Sequence, residues 1–246
     1  MYQNILLDIS EGIATITLNR PDKLNAYTVA MGEDVVEAFN ALKNNGDVKV
    51  VILTGAGRGF CAGVDLDHLK EQFAAAERGE VLKGPKLGEE RFIRELPLTL
   101  ATYPKPVIVA INGHAIGVGI TMALPCDIRI AVENAKIGLT FAKMGILPGL
   151  GSTYLLQRIV GPAKARELML TAKVILAPEA AAMGLINKVV AEDKLMEEAR
   201  AMAKQMAECN PKTISAIKDC LHHGATSTLE QAMKYEQETA TRLRNL

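Results

Sequence analysis

Val107-Ile108-Val109-Ala110-Ile111, followed by Asn112-Gly113-His114-Ala115-Ile116-Gly117-Val118-Gly119, reads as a buried strand running into a glycine-rich turn. Five successive apolar residues without polar alternation suit a strand covered on both faces. The apolar window continues to Cys126, but Asn112, His114, the glycines and Pro125 inside it suit strand, turn and helix, not a membrane span. A second unit of the same kind lies upstream. The β-branched run Val48–Thr54 leads to Gly59-Phe60-Cys61-Ala62-Gly63-Val64-Asp65-Leu66. Ligands in α/β sheets sit beyond the C-terminal ends of strands. Each turn here opens into a helix, so free backbone N–H groups and the positive helix end face that region. Two such N–H groups aimed at one oxygen make an oxyanion hole. Neither turn matches GxGxxG or the phosphate-binding GxxxxGK[ST] pattern, which disfavours nucleotide binding.

Strands and helices alternate around these turns. Ile5–Ser10 and Ile13–Leu18 are expected strands joined at Glu11-Gly12. Residues 28–44 carry Met31, Val35, Phe39 and Leu42 at helical spacing, with Thr28 as N-cap. Helices are expected over 65–78 and 88–101, separated by a mobile stretch around Lys83-Gly84-Pro85, and a short apolar helix runs to Leu124. Asp127–Ala131 and Ala135–Gly138 read as short strands. The alternation predicts right-handed crossovers and a mainly parallel, doubly covered sheet. From Ala191 the pattern becomes helical throughout, over 193–209, 211–223 and 227–244, with Pro211 opening the second helix and Ser227 capping the third. The chain therefore divides into an α/β core, residues 1–190, and a helical region, residues 191–246.

Composition narrows the function. The 246 residues are 49% apolar and 23% charged, enough for one large core and unlike disordered, collagen-like or coiled-coil chains. Basic and acidic residues number 28 each, so no global basic field for nucleic acid exists. Aromatics at 4%, without Trp, argue against a base-stacking surface. Cys61, Cys126, Cys209 and Cys220 lack the spacing of a disulfide scaffold or metal site, and adjacent His222 and His223 face different sides of a helix. No metal and no membrane partner are expected. Reduced thiols, and an N-terminus MYQNILLDIS without a basic region before an apolar stretch, point to the cytoplasm.

Several further segments carry a resemblance. They are Leu18-Asn19-Arg20-Pro21 through Asn25-Ala26, Phe60 through Leu66, Lys105 through Gly113, and Gly117-Val118-Gly119 through Ile128. Gly145-Ile146-Leu147-Pro148-Gly149, Ala163-Lys164-Ala165 and Ala182-Met183-Gly184-Leu185-Ile186 follow in order. Together they resemble the enoyl-CoA hydratase/isomerase (crotonase) superfamily over almost the whole chain. The resemblance implies an α/β fold, a crotonase-like spiral core of repeated ββα units with a helical C-terminal trimerisation region. It implies a homotrimer or dimer of trimers acting on acyl-CoA thioesters, with coenzyme A entering as part of the substrate and no separate cofactor. By position, the oxyanion-hole amides are those of Val64 and Val118. Ala62 and the run Val64, Asp65, Leu66 and Asp67 would line the coenzyme A path. Asp67 replaces a common lysine, and Lys23 and Arg58 are candidate substitutes as phosphate-facing cations.

The acid–base machinery departs from that pattern. The two glutamates with which a hydratase of this family holds water correspond to Thr121 and Phe141, and the carboxylate that some isomerases use corresponds to Gly149. The sequence leaves the proton-transfer group open. His68 lies on the helix after the first turn; His114 is expected to bond the loop backbone; Asp65 and Asp67 also suit helix capping. Glu89 and Glu90 either close over a ligand or serve a helix N-terminus. Glu236 either reaches a neighbouring subunit or is a surface charge. Cys61 is a nucleophile candidate weighed against core packing. Phe60, Met122, Leu139, Phe141, Met144 and Leu147 suggest an apolar acyl pocket. Hydration, double-bond migration and thioester hydrolysis stay open for an acyl-CoA enzyme, beside an acyl-CoA or acyl-carrier decarboxylase and a non-catalytic acyl-CoA-binding trimer.

Overall fold

Apolar β-branched runs become the strands of two sheets. In a computed structural model, which describes residues 2–79 and 87–245, the strands are β1 (Ile5–Ser10), β2 (Ile13–Leu18), β3 (Val50–Gly55), β4 (Gly59–Cys61) and β5 (Val107–Ile111). β6 (His114–Ile116), β7 (Ile128–Val132), β8 (Lys136–Gly138), β9 (Val174–Leu176) and β10 (Lys188–Val190) complete the set. The larger sheet runs β1-β2-β3-β5-β7-β10, parallel except for the β1–β2 hairpin. Its centre is dry: every residue of β5 is buried, with Ile108 registered on Ile52 and on Ile128. The smaller sheet runs β4-β6-β8-β9.

This corrects the single-sheet expectation. Three successive passes of the chain each add one strand to either sheet, first β3 and β4, then β5 and β6, then β7 and β8. That is the spiral of ββ units the resemblance implied. The glycine turns consequently contain short strands, β4 and β6, that had been expected as turn throughout.

Helices α1 (Val29–Lys43), α2 (Leu66–Glu77), α3 (Arg91–Arg94), α4 (Leu96–Ala101), α5 (Val118–Thr121), α6 (Ser152–Thr171) and α7 (Ala177–Ala182) lie between strands. α1 buries Met31, Val35, Phe39 and Leu42, and the Thr28 hydroxyl caps it by accepting from Met31 N at 3.3 Å. The helix expected over 88–101 is two helices, with Pro97 in the first turn of the second. The stretch around Lys83-Gly84-Pro85 lies outside the described residues.

The C-terminal helices are α8 (Leu195–Ala207), α9 (Pro211–Gly224) and α10 (Leu229–Arg244). α8 packs on β2, β3, β5 and β7, whereas α9 and α10 pack on each other. Asn210 and Pro211 open α9, but the cap of α10 is Thr228, in a reciprocal box with Gln231. Ser227, expected there, instead donates to the His223 carbonyl at 2.8 Å. No helix among the described residues is long and apolar enough to cross a membrane.

Candidate active site

Two asparagine amides hold the first turn. Asn25, fully buried with φ +55°, donates from Nδ2 to the carbonyls of Ala56 at 2.9 Å and Gly59 at 2.8 Å, and accepts from Arg20 N at 2.8 Å. Asn112, leaving β5, accepts from Gly55 N at 3.2 Å and donates to the Gly57 carbonyl at 2.9 Å. The first turn is thereby tied to the end of the strand that launches the second. Glycine then lets the two turns touch. A Cβ on Gly119 would overlap the Cys61 carbonyl oxygen, and one on Gly117 would lie 3.8 Å from the Gly63 Cα. Gly117 has φ +55° and ψ −117°, a conformation open to glycine alone.

These contacts leave two donors unused. Tyr27 N donates to Gly63 O at 2.7 Å and Asp65 N to Tyr27 O at 2.8 Å, so Val64 sits between paired neighbours. Gly117 N donates to Gly138 O at 2.8 Å, and Val118 follows as the first residue of α5, where an N–H has no helical partner. Among the described residues the N–H groups of Val64 and Val118 find no acceptor. Both residues border one cavity of about 590 Å³, whose walls include Ile93, Phe141, Met144 and Leu147. Two backbone donors in an apolar cavity can stabilise a developing oxyanion, typically a large electrostatic effect.

Ala62, Val64, Leu66 and Val118 all border this cavity; Lys23, Asp65 and Asp67 do not. Asp65 is buried and bonds Arg20 at 2.8 Å, and its other oxygen accepts from Asp67 N at 3.1 Å and His68 N at 3.4 Å. Burial raises the Asp65 carboxyl, but Arg20 and the two N–H groups outweigh it and hold it below the usual carboxylate range. Its carboxylate caps α2 and locks the first turn. At the surface, Lys23 meets Asp67 at 3.1 Å, so the candidate cation and the acid in the lysine's place neutralise each other.

Of the apolar candidates, Phe141, Met144 and Leu147 line the cavity, whereas Phe60, Met122 and Leu139 are buried core. Thr121 is fully buried, its hydroxyl donating to Val118 O at 3.3 Å, and it does not reach the cavity. The His114 Nδ1 is buried without a hydrogen-bond partner, contrary to the expected bond to the loop. Burial pushes the Cys61 thiol up to about 12, so it stays protonated near neutrality and is core, not nucleophile.

The adjacent glutamates diverge. Glu90 is buried and accepts from the Tyr27 hydroxyl at 2.6 Å and from Gly88 N at 2.5 Å. Burial, then the bond to Glu90, push the Tyr27 phenol far above its usual value, so it stays a donor. Glu89 is exposed and borders the cavity. Nothing in the local pattern distinguishes the two; the partner that does, Tyr27, is remote in sequence.

Residues 8–245 match the family model described as enoyl-CoA hydratase/isomerase. The chain is 36% identical over 242 residues to the 1,2-epoxyphenylacetyl-CoA isomerase of Escherichia coli, covering 97% of this chain and 89% of that protein. It is 36% identical over 238 residues to the short-chain-enoyl-CoA hydratase of Clostridium acetobutylicum, covering 96% of this chain and 87% of that one. The solved enoyl-CoA hydratase of Bacillus anthracis superposes with a TM-score of 0.86 at 32% identity, covering 99% of this chain and 92% of that structure. With its spiral core and paired glycine turns, the chain belongs to the enoyl-CoA hydratase/isomerase family and is an acyl-CoA enzyme of that family.

Proposed function

We propose that the protein binds an acyl-CoA thioester with its acyl chain in the apolar cavity and stabilises the thioester enolate between the Val64 and Val118 amides. The observation carrying this reading is that two donors without acceptors, on two different turns, border one apolar cavity. Ala62 and Leu66 flank the path of the pantetheine arm. Lys23 swings from Asp67 to a phosphate of the ligand, and Asp65 serves by holding the turn. Coenzyme A arrives with the substrate. Thr121 and Phe141 cannot hold a water between two carboxylates, so hydration is the reaction this site serves least.

The test is turnover of crotonyl-CoA, a 3-enoyl-CoA and malonyl-CoA. Turnover of at least one ester, with crotonyl-CoA hydration weakest, is the expected result. Binding of all three without turnover of any would replace the enzyme reading by a scaffold. Hydration of crotonyl-CoA should rise only in the double variant Thr121→Glu/Phe141→Glu, because each carboxylate supplies one half of the transfer. A wild type that already hydrates crotonyl-CoA as fast as that double variant would contradict the reading.

Assembly as a homotrimer or dimer of trimers belongs to the same proposal, through α9 and α10. Ile217 and Met233 are half exposed there, Leu221 and Leu229 more so. Large apolar side chains left exposed on one pair of packed helices suit an association surface. Light scattering that returns a monomer at micromolar concentration would remove it.

A further inference from the structure

The cavity has one ionisable side chain among its described residues, and it is Glu89. The other polar side chain on the wall, Thr140, is a hydroxyl that holds no exchangeable charge near neutrality. Glu89 is exposed at the cavity's edge and has neither a hydrogen bond nor an ion pair among the described residues. Its backbone is nevertheless fixed. Gly88, at φ +98°, donates to the buried Glu90 carboxylate, which also takes the Tyr27 hydroxyl. A free carboxylate on a pinned turn, beside an apolar cavity with two oxyanion donors, is the arrangement of a proton carrier.

We infer that Glu89, away from the positions where this family carries its carboxylates, is the acid–base group of this site, serving the isomerase reaction of the family, migration of a carbon–carbon double bond in an enoyl-CoA ester. The inference rests on the enolate reading above. With a 3-enoyl-CoA, the Glu89 carboxylate removes a proton from C2. The C2–H electron pair forms a dienolate whose oxygen is held by the Val64 and Val118 amides. The Glu89 carboxylic acid then returns that proton to C4. The C3–C4 double bond becomes single, the C2–C3 bond becomes double, and the thioester carbonyl is restored. No water, oxidant or metal is consumed, and one carboxylate suffices, whereas hydration needs a group for the proton and another for the hydroxyl.

The experiment compares wild type, Glu89→Gln, Glu89→Asp and Val118→Pro for isomerisation of a 3-enoyl-CoA. In parallel it follows exchange of C2 protons in deuterated water and binding of the saturated ester butanoyl-CoA. Glu89→Gln should lose about a hundredfold or more in kcat, lose C2 exchange to the same degree and lose the acid limb of the pH–rate profile. Its affinity for butanoyl-CoA should stay within about twofold, because no ground-state contact is removed. Glu89→Asp should recover part of the rate. A Glu89→Gln enzyme that keeps its rate while Val118→Pro loses it overturns the Glu89 assignment alone. Wild-type rates in both variants overturn the enolate reading and this assignment with it. A wild type that hydrates 2-enoyl esters but leaves 3-enoyl esters unchanged overturns the double-bond migration.

Discussion

Val118→Pro should lower kcat by about a hundred- to a thousandfold and leave the melting temperature near that of the wild type. The two halves of that result come from one position. Val118 is the first residue of α5, and its N–H bonds nothing in the chain. The first helical position tolerates proline, because the missing N–H was an orphan and the fixed φ already suits a helix. Proline also restricts the residue before it, chiefly through that residue's Cβ. Gly117 has none, and its φ +55°, ψ −117° is the mirror image of the polyproline region that such a residue favours. The substitution therefore deletes one donor with little cost elsewhere. Loss of one oxyanion donor costs roughly 2.7–4 kcal/mol of transition-state stabilisation. Val118→Ala is the control, since it trims the side chain and keeps the N–H. A folded Val118→Pro enzyme with wild-type turnover would remove this amide from the chemistry.

How far the site could be read from the chain depended on which forces are local. Val107–Ile111 and Val48–Thr54 announce buried strands because both faces of each must be apolar. Thr28 announces a helix start because capping is a short-range bond. The three-residue strands β4 and β6 carry no such mark. They are strands because Gly113 lets the chain pass close to Arg58, where a Cβ would overlap a carbonyl oxygen. That approach is a tertiary fact, and the glycine that permits it reads equally well as a plain turn. Hydropathy likewise could not separate Phe60 from Phe141, although one is core and the other cavity wall. Glu89 and Glu90 show the same limit most sharply. Both suit the start of a helix, and only the Tyr27 hydroxyl selects which carboxylate is buried. The glycine turns and the missing glutamates are local readings; which of Glu89 and Glu90 borders the cavity is not.

Gly119→Ala should cost both stability and rate, and by more than its single methyl group suggests. A Cβ at Gly119 would overlap the Cys61 carbonyl oxygen and lie 3.0 Å from the Cys61 Cβ and 3.1 Å from its carbonyl carbon. The obstacle includes backbone of β4, which is held in the smaller sheet by β6, so no rotamer change relieves it. One turn must move away from the other. Overpacking of this kind costs about 1–3 kcal/mol, read as a lower denaturation midpoint at unchanged slope. On the enolate reading, the displacement also moves the Val64 and Val118 amides away from a shared oxygen. Misplacement by about 1 Å costs on the order of a hundredfold in rate. Gly12→Ala supplies the comparison. Gly12 has φ +76° in the β1–β2 turn, and a Cβ there meets nothing closer than 3.8 Å. Strain alone should cost it about 1 kcal/mol with kcat intact. Equal kcat in the two variants would mean that close contact between the turns is not what aligns the amides, and the donors would then have to be held by Asn25 and Asn112 alone.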